Sequence, residues 1–282
     1  MSKQRVTIYT NQGNTSFFKV LRASLSDLFS SGFLARQIAI RDIKAQYRQS
    51  YLGILWAFIT PLTTALVWVF LQSTGTVQLT DTGIPYPVYA FSGTLIWSII
   101  TGAINAPQMS TSSAKSIISK INFPKEALLL SGIYKLLFNA IPKILLLIIL
   151  LLIFGVDYQH SAWLFPLVML GAVFFGFTLG LILTPIGLLY NDISKLIMTG
   201  LRFMMYLTPV VYMIPADGIM KTIMEWNPFS PMILLARSVL VGAPSDHLGY
   251  YFLVLLCCFP ILLIGLVFYR ISIPIIVERS SS

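Results

Sequence analysis

Charge is scarce in this chain. Asp, Glu, Lys and Arg make up 10% of its 282 residues, against about 25% in an ordinary soluble domain. Some 56% of the residues are apolar or aromatic, and the mean hydropathy is +0.81. Neither a soluble globule nor a disordered chain carries that much apolar surface in water. Cysteine is nearly missing. Cys257 and Cys258 stand side by side in an apolar run, with no Cys/His ligand spacing around them, which argues against a disulfide framework or a structural metal site. With 18 Gly and 15 Pro there is no collagen-like composition either.

Catalytic signatures are missing too. No G-x-x-x-x-G-K-[ST] loop, G-x-S-x-G elbow or H-E-x-x-H pair occurs, so the chain does not read as an enzyme and is not expected to split ATP itself. His160 and His247 fall in loops, and Asp157 and Asp192 flank apolar runs rather than sit inside them. No intramembrane carboxylate pair offers a proton relay. No fixed-period repeat is visible, and the first fifty residues are too polar and basic for a cleavable signal peptide.

What is present is a set of long apolar runs. A spanning helix needs about 20 apolar residues, and six stretches qualify: 52–73, 87–106, 128–155, 162–189, 196–214 and 249–271. Runs such as Ile144 to Phe154 do not alternate, which excludes a β-barrel. The expectation is an all-α integral membrane protein with six transmembrane helices. Lys and Arg set its orientation. Eight precede the first run, from Lys3 to Arg48; Lys115, Lys120 and Lys125 follow the second; Lys195 follows the fourth; and Arg270 and Arg279 lie at the end of the last and after it. The loops after the first and third runs have none. The alternation predicts a multi-pass protein with both termini cytoplasmic. The net charge of +9 sits beside apolar runs, so the partners it implies are anionic membrane lipids and not nucleic acid.

Two further segments are amphipathic or short. Residues 33–48 predict an interfacial helix, with Phe33, Leu34, Ile38 and Tyr47 on one side and Arg36, Arg41, Lys44 and Arg48 supplying charge. Residues 215–248 are too apolar for a free loop and too short to cross twice, which predicts a re-entrant or interfacial helical pair before the last span. A helix lying on the surface is the alternative.

Several residues are candidates for function. Ser131, Lys135, Asn139 and Lys143 recur at steps of four, on one helical stripe. Such lysines either attract an anionic headgroup from the inner leaflet or snorkel to the cytoplasm. Ala172, Gly176, Gly180 and Thr184 form a small-residue stripe that predicts close helix packing within one subunit. Aromatics reach 13%. Most fit an interfacial belt, while rings in the first, second and fifth runs are candidates to stack on sugars along a channel: Trp56, Trp68, Trp97, Tyr206 and Tyr212. The loop 107–126 carries Lys120, Phe123, Pro124, Lys125 and Glu126, a short element suited either to docking on a partner or to plain solvation.

Taken together these residues resemble a known family. The run Arg41-Asp42-x-Lys44-x-x-Tyr47-x-x-Ser50-x-Leu52-Gly53-x-x-Trp56, with Pro61, resembles the N-terminal signature of permease subunits of polysaccharide-exporting type-2 ABC transporters, which serve O-antigen, capsule and teichoic acid. Ile121-Asn122-Phe123-Pro124-Lys125-Glu126 and Asn227-Pro228 are similar to later parts of the family, while Asn191-Asp192 departs from an expected Arg-Asp. The resemblance implies a homodimer of six-span permeases in the bacterial inner membrane, with two separate ATPase subunits that hold the ATP and magnesium. This chain itself would carry no cofactor and no metal. Residues 1–32 would be a cytoplasmic segment, 33–271 the permease domain and 272–282 a cytoplasmic tail. A lipid-linked glycan would meet Arg41, Lys44, Arg48, Lys135 and Lys143 through its headgroup. Lys120, Phe123, Pro124, Lys125 and Glu126 would couple to the ATPase. Small-molecule efflux by the same transporter class is the alternative; a membrane glycosyltransferase would need catalytic groups that the loops lack, and the polar stripe at Lys135 argues against an assembly subunit with no transport path.

Overall fold

The computed structural model describes residues 16–48, 51–75, 83–118, 120–121, 123–156, 160–241 and 247–281. Among them every regular element is a helix. In chain order these are α1 (Phe17–Ser30), α2 (Gly32–Arg48), α3 (Trp56–Ser73), α4 (Tyr86–Ser113), α5 (Lys115–Ile118), α6 (Glu126–Ile153), α7 (Phe165–Leu189), α8 (Asn191–Tyr206), α9 (Ile219–Trp226), α10 (Ser230–Val241) and α11 (Leu248–Ser281). Short 3-10 turns lead into α3 and α7.

Five helical stretches are long and apolar enough to cross a bilayer: Gly53–Ser73, Tyr86–Ser113, Glu126–Ile153, Ser161–Leu189 and Leu248–Glu278. They match five of the six runs expected from hydropathy. The remaining run, 196–214, is differently built. Its helix ends at Tyr206, and turns occupy 207–209. Pro209 explains the stop, since the residue before a proline is pushed out of the α region. Sixteen residues span only about 24 Å, short of the roughly 30 Å hydrocarbon core. The expected tail 272–282 is not separate: α11 continues through it to Ser281, with Ile273, Ile276 and Val277 buried.

α4 and α7 form the centre. They meet along the small-residue stripe read from the sequence, with Ala172, Gly176, Gly180 and Thr184 all buried. A Cβ on Gly176 would lie 2.6 Å from the Ile100 carbonyl oxygen, and one on Gly180 only 2.1 Å from that of Ile104. Backbones therefore touch, within one subunit, as that spacing predicts. α6, α10 and α11 pack around this pair. Apolar side chains left outside, such as Leu66 and Phe70 of α3, Ile148 and Leu152 of α6 and Leu256 of α11, supply the exterior a membrane-embedded bundle needs.

Residues 17–48 are more helical than their composition suggests. α1 forms where only a polar segment was expected. α2 covers the amphipathic 33–48 stretch, but its buried face is not the anticipated one. Ala35 and Ala39 are buried, while Phe33 is 78% exposed. Small residues let α2 lie close on α6, which brings Asp42, three positions further on, to the same seam.

Candidate functional site

The groove between α2, α3, α4 and α6 gathers several polar side chains. Its deeper part is a cavity of about 420 Å³ lined by Gln46, Tyr47, Trp56, Thr60, Thr64, Thr94, Ser98, Asn139 and Lys143, together with apolar neighbours. A second cavity of about 390 Å³ lies beside it, lined by Asp42, Ser113, Lys135 and others, and shares Gln46 and Asn139 with the first. The steps of four along α6 produce this: Lys135, Asn139 and Lys143 follow one another along the groove.

The two lysines differ in their partners. Lys135 donates to Asp42 Oδ2 at 2.8 Å, while Arg41 holds Oδ1 at 2.6 Å. Burial pushes the Asp42 carboxyl up, but hydrogen bonds and charge from Lys135 and Arg41 outweigh it and hold the group below the usual carboxylate range. Lys135 is thus neutralised at the α2–α6 seam. Lys143 instead donates to the Ser98 hydroxyl at 3.0 Å, and no carboxylate lines its cavity. An ammonium within the hydrocarbon region costs about 2.5–3.5 kcal/mol on insertion scales. Here hydroxyls, two amides and the indole of Trp56 line the same cavity. That combination suits an anion carried on a body with both polar and apolar faces.

The aromatic candidates separate in space. Trp56 is half exposed and borders the cavity. Trp68 meets Tyr86 edge to face at 5.9 Å. Trp97 is buried and packs on Phe229 at 5.4 Å, so it serves the core of this subunit. Tyr206 lies exposed at the end of α8, and its carbonyl accepts the Tyr212 hydroxyl. The carbonyl of Tyr212 in turn accepts from Tyr89 at 3.1 Å. Of the basic residues on α2, Arg41, Lys44 and Arg48 are all exposed.

The segment between α5 and α6 points two ways. Lys120 and Pro124 are exposed. Phe123 turns inward, sharing a small apolar cavity with Leu34, Ile38, Ile117 and Ile121, so it joins this segment to α2. Lys125 is half buried, and desolvation lowers its proton affinity against the opposing attraction of Glu126. Glu126 is 1% exposed. It accepts from Ser24 of α1 and Arg270 of α11, both at 2.7 Å, and Arg270 also reaches Asp27 at 2.6 Å. Glu126 therefore binds α1, α6 and α11 together, and its carboxylate faces these helices rather than the surface.

Sequence reading missed one buried cation altogether. Arg237 of α10 is 6% exposed. Its guanidinium lies 3.6 Å from the Tyr89 ring centroid and donates to the carbonyls of Pro209, Val210 and Tyr89 at 3.3, 2.7 and 3.3 Å. Asn227 holds the same turn, donating to Leu207 O at 2.8 Å and Thr208 Oγ1 at 2.9 Å. A lone arginine in an otherwise apolar stretch was the available signal. Arg237→Met should destabilise the fold by about 2–3 kcal/mol, because buried carbonyls lose their donors. Arg237→Lys should recover only part, since a point charge reaches fewer of them. Thermal unfolding in detergent measures both.

Comparison with known proteins agrees with this picture. The family described as ABC-2 type transporter matches residues 34–241. Two proteins of Klebsiella pneumoniae named O-antigen export system permease protein RfbA are similar. One is 26% identical over 232 residues, covering 79% of this chain and 87% of the relative. The other is 24% identical over 255 residues, covering 88% and 96%. A protein of the same name from Myxococcus xanthus is 29% identical over 189 residues, covering 66% and 70%.

Proposed function

This chain belongs to the ABC-2 type transporter family, and from that premise we infer that it is the permease subunit of an ATP-driven exporter of lipid-linked polysaccharide. O-antigen is the cargo indicated by the relatives' names. Two copies enclose the path, and two separate ATPase subunits drive it from the cytoplasmic side of the bacterial inner membrane. The single observation that carries the substrate reading is the cavity around Lys143. A cation without a carboxylate, hydroxyl groups and an indole meet there at the membrane-embedded end of the groove.

Six crossings fit the reading better than five. Gln108, late in α4, donates to Ser194 at the start of α8 at 2.6 Å. Tyr89, early in α4, bonds Tyr212 beyond the end of α8. Those two points on α4 lie 19 residues apart, about 28 Å. α8 together with its following turn traverses that same depth, although the helix alone is too short. An even number of crossings leaves both termini on the cytoplasmic side. α9 and α10 suit a re-entrant pair: Phe229, just before α10, reaches Phe175 in α7 at 5.0 Å, while Val239 near its other end accepts from Ser161 at 3.0 Å.

In this mechanism the exposed cations of α2, Arg41, Lys44 and Arg48, gather the anionic head of the carrier at the inner leaflet. Lys135, tied to Asp42, shapes the seam, and Lys143 takes the phosphate deeper. Trp56, Trp68, Tyr206 and Tyr212 offer ring faces along the path, held weakly enough for sugars to move on. Lys120, Pro124 and Lys125 meet the ATPase, and the Phe123 contact with α2 passes their motion to the groove.

Lys143→Ala should lower export at least tenfold, with little change in thermal stability, and Lys143→Arg should retain most of it. The readout is surface glycan against cytoplasmic lipid-linked polymer in a fractionated strain complemented with each variant. Undiminished surface glycan in Lys143→Ala would remove the cavity from the path. Unchanged surface glycan in a strain lacking the permease would instead point to small-molecule efflux.

A further inference from the structure

We propose that α8 carries a contact line for an anionic group of the cargo, centred on Arg202 and facing water. The proposal deepens the export reading and rests on it for the identity of the cargo. Lys195, Thr199, Arg202 and Tyr206 follow at steps of four, three and four, which keeps them within a sector of about 60° on one helix face. All four are exposed. The opposite face, with Leu201, Met204 and Met205, packs on the core.

Arg202 has no hydrogen bond or ion pair within the described residues; the acid at the start of the helix, Asp192, pairs with Lys195 at 3.7 Å. Arg202 sits eight residues beyond Ser194, about 12 Å along the helix, with roughly as much of the crossing still ahead. Its side chain cannot snorkel to either surface from there without leaving the helix face it occupies. A bare guanidinium in lipid is strongly disfavoured. Dry packing against a second copy is also disfavoured, because it would take an unpaired guanidinium out of water. Water and a mobile anion on this face satisfy both conditions, and guanidinium geometry matches phosphate or carboxylate.

The test uses the assembled transporter with Cys257→Ser and Cys258→Ala as background. In it, Arg202→Cys should react with water-soluble methanethiosulfonates, whereas Phe252→Cys, on an exposed apolar face of α11, should not. Export by Arg202→Cys should fall roughly tenfold, the worth of one charge-assisted contact. The cationic reagent should restore it and the anionic reagent should not. Repeating this with a glycan built only of neutral sugars assigns the anion: a persistent defect identifies the carrier phosphate, and a lost defect identifies acidic sugars. No reaction at position 202, or export indifferent to the charge attached there, overturns the proposal. Labelling does not depend on the cargo. If the wild-type chain moved no glycan, the export reading would fall, while the water-facing assignment would still be decided by reaction at 202.

Discussion

Arg270→Met should cost the folded chain about 3–5 kcal/mol, the usual penalty for breaking a buried ion pair from one side. Glu126 is 1% exposed, and without Arg270 its carboxylate would keep the Ser24 hydroxyl and the attraction of Lys125 but lose its direct ion pair. Asp27, the other acid on Arg270, has 31% of its side chain exposed and can rehydrate, so Asp27→Asn should cost about 1 kcal/mol or less. The double variant Arg270→Met/Glu126→Gln should recover most of the loss, because it removes both charges and keeps the volume. A double-mutant cycle by thermal unfolding in detergent gives the coupling directly. A loss under about 1 kcal/mol for Arg270→Met would mean that this junction of α1, α6 and α11 does not hold the cytoplasmic end together.

Gly180→Leu should be more damaging still. Even the Cβ of Gly180→Ala would sit 2.1 Å from the Ile104 carbonyl oxygen. That oxygen belongs to a helix backbone and cannot rotate aside. The α4–α7 pair must separate, and every contact around it loosens. Overpacking of a tight core costs about 1–3 kcal/mol for modest insertions, so Gly180→Ala should fall at the upper end and Gly180→Leu should fail to yield folded protein. Gly200→Ala is the control. Nothing lies within 4 Å of a Cβ there, so the gain in helix propensity should leave stability equal or raised by up to about 1 kcal/mol. Equal behaviour of the two alanine variants would remove backbone contact as the reason for the small-residue stripe.

Five long apolar helices and the small-residue stripe of α7 are legible in the sequence. The reason is that hydropathy is a local sum: a run of twenty apolar residues is driven from water wherever its neighbours lie, and the bilayer then forces its backbone into a helix. The alignment of Lys135, Asn139 and Lys143 was legible on the same ground, since helical spacing alone places them on one stripe. The end of α8 was also written locally, in Pro209, but a hydropathy window reads straight through a proline.

Charge partners were not legible, because they depend on which helices become neighbours. Asp42 and Lys135 are 93 residues apart and meet only because Ala35 and Ala39 let α2 settle on α6. Glu126 and Arg270 lie 144 apart, and their pairing turned an apparent surface carboxylate into an internal brace. Arg237 was visible as a residue but not as a pin, since its acceptors are backbone carbonyls that every residue possesses. What leaves water is settled by each run of residues alone; which of the remaining charges meet an opposite charge, as Lys135 and Arg270 do, and which, like Lys143, meet only a hydroxyl depends on how the helices pack.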